Sequence, residues 1–241
     1  MALAKKLAGI LYGVGVGPGD PELMTFKAAR LIKNAPVLAY PILEKNIPSM
    51  ARTIAAPYIP SGKIEIQIET PMLPEKFPDP DIYDRYSANI SEYLQAGKDV
   101  VVLCEGDPFF YGSFIYIFER LCEKHSVEVV AGVSSLGACA SVAGLPLVSG
   151  NQRFEIIPAP IDELLLEKRI NEIDGAAIIK IGRHLKKVQR VLRRLNLLNQ
   201  AIYVERATLK NQYITRACDP KLDIAPYFSM ILISPLRASV A

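Results

Sequence analysis

Tryptophan is absent from this chain of 241 residues, and histidine and cysteine are scarce, with two and four copies. The four cysteines are widely spaced and show no C-x-x-C pairing: Cys104, Cys122, Cys139 and Cys218. His125 and His184 are the only imidazoles that could join them as metal ligands. The pattern argues against a metal centre and against a disulfide framework, and it predicts buried free thiols in a reducing compartment.

Long apolar runs and a large excess of one charge are also missing. No run approaches the roughly 20 residues that a membrane-spanning helix needs, and a net charge of +3 is too small to indicate nucleic acid. Lys5 and Lys6 before the apolar residues 7–16 imitate a short signal peptide, but glycines interrupt that stretch and a turn follows it. We therefore expect a first β-strand there, in a cytoplasmic protein that binds neither membrane nor nucleic acid.

The chain does contain a regular alternation of short apolar runs and helical patterns. In the first half, strands are predicted at residues 10–16, 36–40, 63–68, 99–104 and 127–131. Helices are predicted between them at residues 22–34, 81–95 and 113–124. This alternation predicts a mostly parallel sheet with helices on both faces.

After Gly150 the pattern changes. Strands are predicted at residues 153–158, 176–181, 201–205, 212–215 and 227–233, with helices at 162–173 and 184–195. Loops connect the last two strands, which favours antiparallel pairing. We expect an α/β protein of two domains, a parallel one at residues 1–131 and a mixed-sheet one at 151–241, joined by a connecting segment at 132–150.

The tripeptide Gly-Asp-Pro occurs twice, at residues 19–21 and 106–108, each time between a predicted strand and a helical pattern. Glycine permits a sharp turn, Asp can cap a helix, and Pro suits the first helical position. In an open parallel sheet such turns lie at the carboxyl ends of strands, where ligands bind. The two copies indicate either a small-molecule site or ordinary turn chemistry.

The glycine-rich residues 13–20 do not form a common nucleotide motif. Pro18 and Asp20 stand where G-x-G-x-x-G requires its third glycine, and no Lys-Ser/Thr pair follows as in a P-loop. The acidic residue expected at the end of the second strand is replaced by Tyr40 and Pro41. A loop whose backbone approaches a ligand closely remains possible.

Two further segments follow predicted strands. Residues 105–112, Glu-Gly-Asp-Pro-Phe-Phe-Tyr-Gly, combine carboxylates with aromatic rings and suit a polar or cationic ligand with an apolar body. They could equally be a helix cap followed by core aromatics. Residues 132–135, Gly-Val-Ser-Ser, could contact a ligand or cap a helix.

Basic residues cluster between positions 180 and 194. Most of them are expected on the solvated face of a helix, because Val188, Val191, Leu192 and Leu195 supply its buried stripe. Arg183 and His184, at the end of a predicted strand, are the better ligand candidates. No Ser/His/Asp set, nucleophile elbow or paired-carboxylate spacing is present.

Taken together, these segments resemble the tetrapyrrole (precorrin) methylase family over nearly the whole chain. The resemblance rests on residues 14–21, 105–112 and 132–135, and on the Gly-Leu-Pro-Leu of residues 144–147. Residues 11–23, 104–107, 111–113, 180–184, 203–208 and 226–232 are most similar to the family's precorrin-2 C(20)-methyltransferases. Pro41 replaces an Asp that the related uroporphyrinogen-III methyltransferases carry, which argues against their reaction.

The resemblance implies the family's fold, with S-adenosylmethionine bound in the cleft between two α/β domains. It also implies methyl transfer to carbon 20 of precorrin-2 or of its cobalt counterpart, in corrin ring biosynthesis, by a homodimer without a protein-bound metal. The implied cofactor-binding residues are Pro18, Glu105, Gly106, Asp107, Phe110, Ser134, Ser135, Ile181 and Ala207. Asp107 could serve the ribose or the ammonium group of the cofactor.

The tetrapyrrole substrate carries many carboxylates and requires cationic partners. The candidate substrate-binding residues are Gly19, Asp20, Arg52, Arg153, Arg183, His184 and Arg206. For each arginine the alternative is a surface ion pair, and no residue stands out as a general base. The alternative functions are methylation of a precorrin or uroporphyrinogen at another ring carbon, and a non-catalytic ligand-binding protein on the same fold.

Overall fold

The structure is a computed structural model that describes residues 8–70 and 78–236, so Lys5 and Lys6 lie outside the described residues. The chain divides into two compact units, with the boundary between Ser134 and Ser135. This boundary falls inside the segment 132–150 that was expected to connect two domains. We refer to the two parts as the first unit and the second unit.

The first unit contains a five-stranded sheet in the order β3-β2-β4-β1-β5. Its strands are β1 (Leu11–Gly15), β2 (Val37–Ile42), β3 (Ile64–Glu69), β4 (Val100–Cys104) and β5 (Val127–Val130). All neighbouring strands pair in parallel, as the sequence predicted. The carboxyl ends of all five strands therefore lie at one edge of the sheet, which we call its carboxyl edge.

Helices cover both faces of this sheet, because both faces carry apolar side chains. On one face, α1 (Phe26–Asn34) and α2 (Met50–Ala55) pack against residues such as Val14 and Leu38. On the other face, α3 (Pro80–Gln95) and α4 (Phe114–Leu121) pack against residues such as Leu11 and Val102. The short helix α2 was not predicted.

The first helix begins later than its sequence pattern predicted. Asp20 caps a separate 3-10 turn, Pro21–Leu23, by accepting the N–H of Glu22 at 2.9 Å. Thr25 then caps α1 by accepting the N–H of Ala28 at 3.1 Å. Two successive capping residues thus split one predicted helix into a turn and a helix.

The second unit contains a mixed five-stranded sheet in the order β6-β7-β10-β8-β9. Its strands are β6 (Phe154–Pro158), β7 (Gly175–Ile179), β8 (Ile202–Glu205), β9 (Tyr213–Arg216) and β10 (Ser229–Ile233). β6 and β7 are parallel, whereas β10 is antiparallel to β7 and β8, and β9 is antiparallel to β8. The last two strands are therefore antiparallel to β8 on either side of it and do not pair with each other.

Helices also cover both faces of the second sheet. α6 (Glu163–Asn171) and α7 (Leu185–Arg194) pack on one face, around Ile178, Tyr203 and Ile231. α5 (Ser135–Val142) packs on the other face through Ala138 and Cys139. The small residues of α5 give a weak helical pattern, and the sequence predicted only a connecting segment there.

Three glycines bring the ends of neighbouring strands in the first unit into direct backbone contact. Gly15 ends β1, Gly106 follows β4 and Gly132 follows β5. A Cβ atom added to Gly132 would lie 1.9 Å from the carbonyl oxygen of Gly106, and one added to Gly15 would lie 2.5 Å from the same atom. Because the obstacle is backbone, no side chain can move aside to relieve the overlap.

We predict that Gly132→Ala destabilises the protein by about 1–3 kcal/mol, the usual cost of overpacking a well-packed site. Gly137→Ala is the matched control, since a Cβ at that helical position meets nothing within 4 Å and alanine favours helix by about 0.5–1 kcal/mol. The free energy of unfolding in urea measures both. A Gly132→Ala protein as stable as the unsubstituted chain would contradict the contact.

Candidate functional site

The two Gly-Asp-Pro loops of the first unit are joined to each other through their backbones. The N–H of Gly106 donates to the carbonyl of Gly17 at 2.8 Å, and the N–H of Gly17 donates to the carbonyl of Gly106 at 3.3 Å. Both glycines have left-handed backbones, with φ of +80° and +63°, a conformation that side chains disfavour. The loops after β1 and β4 thus form one connected structure at the carboxyl edge.

Asp107 ties the third loop to this structure. Its Oδ2 accepts the N–H of Gly132 at 3.0 Å, and its Oδ1 accepts the N–H of Phe109 at 2.9 Å. The Asp107 carboxylate, which the sequence analysis assigned to the cofactor, therefore already accepts hydrogen bonds from two backbone N–H groups. Since each carboxylate oxygen can accept more than one hydrogen bond, Asp107 retains capacity for a ligand.

Glu105, the first residue after β4, is partly buried at the same edge. Its Oε1 accepts the N–H of Ala51 at 3.1 Å, one of the N–H groups that α2 leaves without a partner in its first turn. Burial raises the pKa of Glu105, while the N–H bonds from its own backbone and from Ala51 oppose that rise. Among the described ion pairs, none includes Glu105.

The remaining candidates of the first unit lie in the same loops, with one exception treated below. Pro18 is partly buried, Gly19 is buried, and Asp20 is the cap of the 3-10 turn. Phe110 is partly buried, with its ring edge-on to Tyr111 at 5.2 Å between ring centroids, and Ser134 ends the third loop. The structure thus gathers the candidates of this unit at one edge of one sheet.

Arg52 is the exception, because its guanidinium lies against Glu65 of β3. Nε and Nη2 of Arg52 donate to the two carboxylate oxygens of Glu65 at 2.9 and 3.0 Å, and the hydroxyl of Tyr40 donates to Glu65 at 2.6 Å. Hydrogen bonding by Arg52 lowers the pKa of Glu65, and the same bonding raises the pKa of Arg52. The structure therefore favours the ion-pair interpretation of Arg52 over a role in substrate binding.

Most candidates of the second unit lie at the ends of β7 and β8, at one edge of its sheet. β7 and β8 run in the same direction, because both are antiparallel to β10. Ile181 follows β7, and Arg206 and Ala207 follow β8; Ile181 and Ala207 are buried. Ser135, the exposed first residue of α5, is the one cofactor candidate of this unit outside these two loops.

The cationic candidates of this edge differ in what they already contact. Glu205 pairs with Nη1 of Arg206 and also accepts the hydroxyl of Tyr203 at 2.7 Å. Nε of exposed Arg183 donates to Nε2 of His184 at 3.3 Å, and no described carboxylate forms an ion pair with Arg183. Burial, with the nearby charges of Lys187 and Arg183, lowers the pKa of His184, which favours the neutral imidazole.

Arg153 lies at the opposite edge of the second sheet, where β6 begins. Its N–H donates to Asp174 at 2.8 Å, and its guanidinium donates to the carbonyl of Glu172. The structure does not bring Arg153 together with Arg183, because the length of the parallel strands β6 and β7 separates their positions, and a role of Arg153 in substrate binding stays a prediction.

The basic cluster of α7 is largely neutralised within the second unit. Arg190 pairs with Glu163, and Arg194 pairs with Glu163 and Glu167. Lys186 pairs with Asp223, and Lys187 donates to the carbonyls of Ala159 and Ile161. Lys186, Arg190, Arg193 and Arg194 are exposed, in keeping with the expected solvated helix face, and the ion pairs are an addition that the sequence did not predict.

Within residues 8–70 and 78–236, no group of three or more His, Cys, Asp or Glu side chains is placed to hold a metal ion. All four cysteines are free, and Cys104 and Cys139 are buried. Cys218 is exposed, so the prediction of a buried thiol is wrong there. No helix in the described part of the chain is long and apolar enough to cross a membrane.

Comparison with known proteins identifies the family. Residues 10–218 match the family model described as Tetrapyrrole (Corrin/Porphyrin) Methylases. The chain belongs to the tetrapyrrole methylases. It is 38% identical over 233 residues to a precorrin-2 C(20)-methyltransferase from a Sinorhizobium species, covering 93% of this chain and 95% of that relative.

Solved structures of tetrapyrrole methylases share the fold. A cobalt precorrin-4 methyltransferase matches with a TM-score of 0.74 at 23% identity, covering 93% of this chain and 94% of that one. A uroporphyrin-III C-methyltransferase from Thermus thermophilus, complexed with S-adenosylhomocysteine, matches with a TM-score of 0.66 at 24% identity, covering 94% and 92%. These likenesses confirm the predicted α/β fold class with its two sheets.

Two features of the site were missed in the sequence. The Gly17–Gly106 bridge joins residues from separate loops, and no local pattern marks such a pair. The contact between Ala51 and Glu105 depends on α2, whose signal was Ser49 before a short stretch of helix-forming residues. Ser49 could have been recognised as a helix cap, but the residues that follow it are too few to show a helical period.

We predict that Asp107→Ala loosens the third loop. The N–H groups of Phe109 and Gly132 lose a carboxylate acceptor, and a hydrogen bond to a charged group contributes about 1.5–3 kcal/mol. Hydrogen exchange measures this directly: the Gly132 amide is expected to exchange about 10-fold faster or more, while Val102 within β4 is unchanged. A Gly132 amide that keeps its protection would contradict the assignment.

We predict a pH-dependent stability contribution from the Arg52–Glu65 pair. Because the folded-state pKa of Glu65 is lowered, its contribution is present above the ordinary carboxyl pKa of about 4.3 and is lost as the pH falls through the lowered value. Glu65→Gln should therefore cost about 0.5–1 kcal/mol at pH 7, discounted for partial exposure, and little in acid.

The free energy of unfolding in urea, measured at pH 7 and again at a pH below the lowered pKa of Glu65, tests this prediction. Glu44→Gln is the control, since Glu44 is exposed and in no described ion pair. A cost for Glu65→Gln that is the same in acid as at pH 7 would show that the pair does not depend on the ionised carboxylate.

Proposed function

We propose that this chain is an S-adenosylmethionine-dependent C-methyltransferase that methylates carbon 20 of precorrin-2, or of its cobalt-containing counterpart, in corrin ring biosynthesis. The observation that carries this proposal is the 38% identity, over 93% of the chain, to a precorrin-2 C(20)-methyltransferase. Membership of the tetrapyrrole methylases supports the class of reaction and of substrate.

The residues at the carboxyl edge of the first unit suit this methyl donor. S-adenosylmethionine supplies a methyl group on a positively charged sulfur and carries an ammonium group, so an acidic site complements it. Glu105 and Asp107 provide two carboxylates, and Phe110 provides apolar surface beside them. We assign cofactor binding to Pro18, Glu105, Gly106, Asp107, Phe110 and Ser134, and Ser135, Ile181 and Ala207 remain predicted contacts.

The substrate's carboxylates suit the arginines at the ends of β7 and β8. Arg183 has no described carboxylate partner, and Arg206 uses Nη1 for Glu205 and keeps its other N–H donors. Arg52 differs, since Nε and Nη2 are both taken by Glu65. We therefore assign substrate binding to Arg183 and Arg206, with His184 as a hydrogen-bonding neighbour, while Gly19 and Asp20 remain predicted contacts.

Methyl transfer needs little from the protein beyond correct placement of the methyl donor and the tetrapyrrole. The methyl group is already activated and the tetrapyrrole carbon is electron-rich, so aligning the reactants and excluding water supply the main acceleration. The connected loops around Gly17, Gly106 and Gly132 provide a rigid surface for that alignment. We assign no side chain as a general base. We further propose a cytoplasmic homodimer without a resident metal, in keeping with the family resemblance.

We predict that the purified protein converts precorrin-2 to a product with one added methyl group when supplied with methyl-¹³C-labelled S-adenosylmethionine. Mass spectrometry measures the addition, and ¹³C NMR locates the label at carbon 20. Parallel reactions with metal-free and cobalt-loaded substrate identify the natural form. A label at another carbon would favour the alternative methylase, and cofactor binding without turnover of either substrate would favour the ligand-binding alternative.

A further inference from the structure

A tyrosine, a glutamate and an arginine form a chain of contacts at the end of β8, which we call the Arg206 group. Tyr203 and Glu205 are two residues apart, so their side chains share one face of the strand. The hydroxyl of Tyr203 donates to Oε2 of Glu205 at 2.7 Å, and Oε1 of Glu205 pairs with Nη1 of Arg206. Tyr203 is fully buried, the side chain of Glu205 is 12% exposed, and that of Arg206 is 35% exposed. The two inner residues therefore hold the one that reaches solvent.

The backbone of Arg206 is held in a conformation that an arginine rarely adopts. Its φ is +50°, and Thr208, two residues later, has a φ of +67°. Left-handed backbones in residues other than glycine persist only where the surrounding structure holds them, and they concentrate at functional sites. The N–H of Arg206 donates to the carbonyl of Phe228 at 2.9 Å, which ties this turn to the residue before β10. Both the backbone and the side chain of Arg206 are therefore held in place.

The first unit contains a group of the same composition, which we call the Arg52 group. The hydroxyl of Tyr40 donates to Glu65 at 2.6 Å, and Nε and Nη2 of Arg52 donate to both oxygens of the same carboxylate. Arg52 lies within α2 and has no left-handed backbone. In the Arg206 group, by contrast, no described hydrogen bond takes Nε or Nη2 of the arginine. The Arg206 guanidinium therefore keeps donors for a further carboxylate, as a binding residue requires.

An arginine binds a ligand more tightly when its orientation is set before the ligand arrives. A free arginine side chain loses rotamer freedom when it is immobilised, and holding it in advance removes that cost from binding. Glu205 holds the guanidinium of Arg206, and Tyr203 holds the carboxylate of Glu205 from the buried side. Burial and the bond to Glu205 raise the pKa of Tyr203, so its hydroxyl keeps the proton that it donates.

We propose that Tyr203 and Glu205 are positioning residues that hold the guanidinium of Arg206 for a carboxylate of the tetrapyrrole substrate. This inference rests on the proposed function, which assigns substrate binding to Arg206. Tyr203 is buried and acts through Glu205 alone. Loss of its hydroxyl should therefore weaken substrate binding and leave the methyl-transfer step and cofactor binding unchanged.

The test is steady-state kinetics at saturating S-adenosylmethionine, with the form of precorrin-2 that the enzyme turns over as the varied substrate. Tyr203→Phe removes the hydroxyl and keeps the volume of the buried ring. Tyr40→Phe is the matched control, because it removes the same kind of hydrogen bond from the Arg52 group. The free energy of unfolding in urea, measured for both variants, shows that each remains folded and how much stability each loses.

We expect Tyr203→Phe to raise KM for the tetrapyrrole by about 3- to 10-fold, the effect of losing one hydrogen bond of ordinary strength. The values of kcat and of Kd for S-adenosylmethionine should stay within about twofold, because a change in KM alone indicates lost binding and not a slower chemical step. Tyr40→Phe should leave all three constants within about twofold.

Glu205→Asp is a second variant that does not depend on the folding of Tyr203→Phe. It keeps the negative charge and withdraws the carboxylate from both of its partners. The same pattern is expected, a raised KM for the tetrapyrrole with an unchanged kcat.

A double-substitution cycle tests whether Tyr203 acts through Arg206. Arg206→Gln removes the guanidinium and keeps an amide donor for Glu205, and it should raise KM by about 10- to 100-fold. Adding Tyr203→Phe to this variant should then raise KM by less than about twofold, because the group that the hydroxyl positions is gone.

Three results would overturn the inference while leaving the proposed function intact. The first is an unchanged KM in Tyr203→Phe or in Glu205→Asp. The second is an equal rise of KM in Tyr40→Phe, which would assign the Arg206 group a purely structural role. The third is an additive effect of the two substitutions in the cycle. If the unsubstituted protein converts no form of precorrin-2, the proposed function fails, and this inference fails with it.

Discussion

The pair of backbone hydrogen bonds between Gly17 and Gly106 is the contact on which the candidate site depends. It joins the loops that follow two adjacent parallel strands, and the close approach of Gly15, Gly106 and Gly132 leaves no room for a side chain between the strand ends. Asp107 then holds the third loop through the N–H of Gly132. Three segments far apart in sequence thus form one rigid surface, which suits a reaction that needs alignment more than acid or base catalysis.

Charge is distributed unevenly among the carboxylates of the first unit. Arg52 of α2 and Glu65 of β3 neutralise each other. Glu105 has only backbone donors in the described chain and bears the cost of its burial.

Sequence patterns predicted much of the fold, because strands buried on both faces are continuous apolar runs. They predicted less of the site. Asp20 caps a separate 3-10 turn and so splits an expected helix in two. α2 is too short to show a helical period, and α5 consists mostly of small residues, which obscure one. Arg153 lies apart from Arg183 for a related reason: a sequence shows that a residue borders a strand, but it does not show at which edge of the sheet that residue lies.

The connected loops of the first unit are proposed to bind the cofactor. Amide chemical shifts measured during titration with S-adenosylhomocysteine test it most directly. We expect the largest changes at Gly17, Gly106 and Gly132, with little change at Gly9 and Lys98, which precede β1 and β4 at the other edge of the sheet. Unchanged signals from the three glycines at saturation would contradict the account.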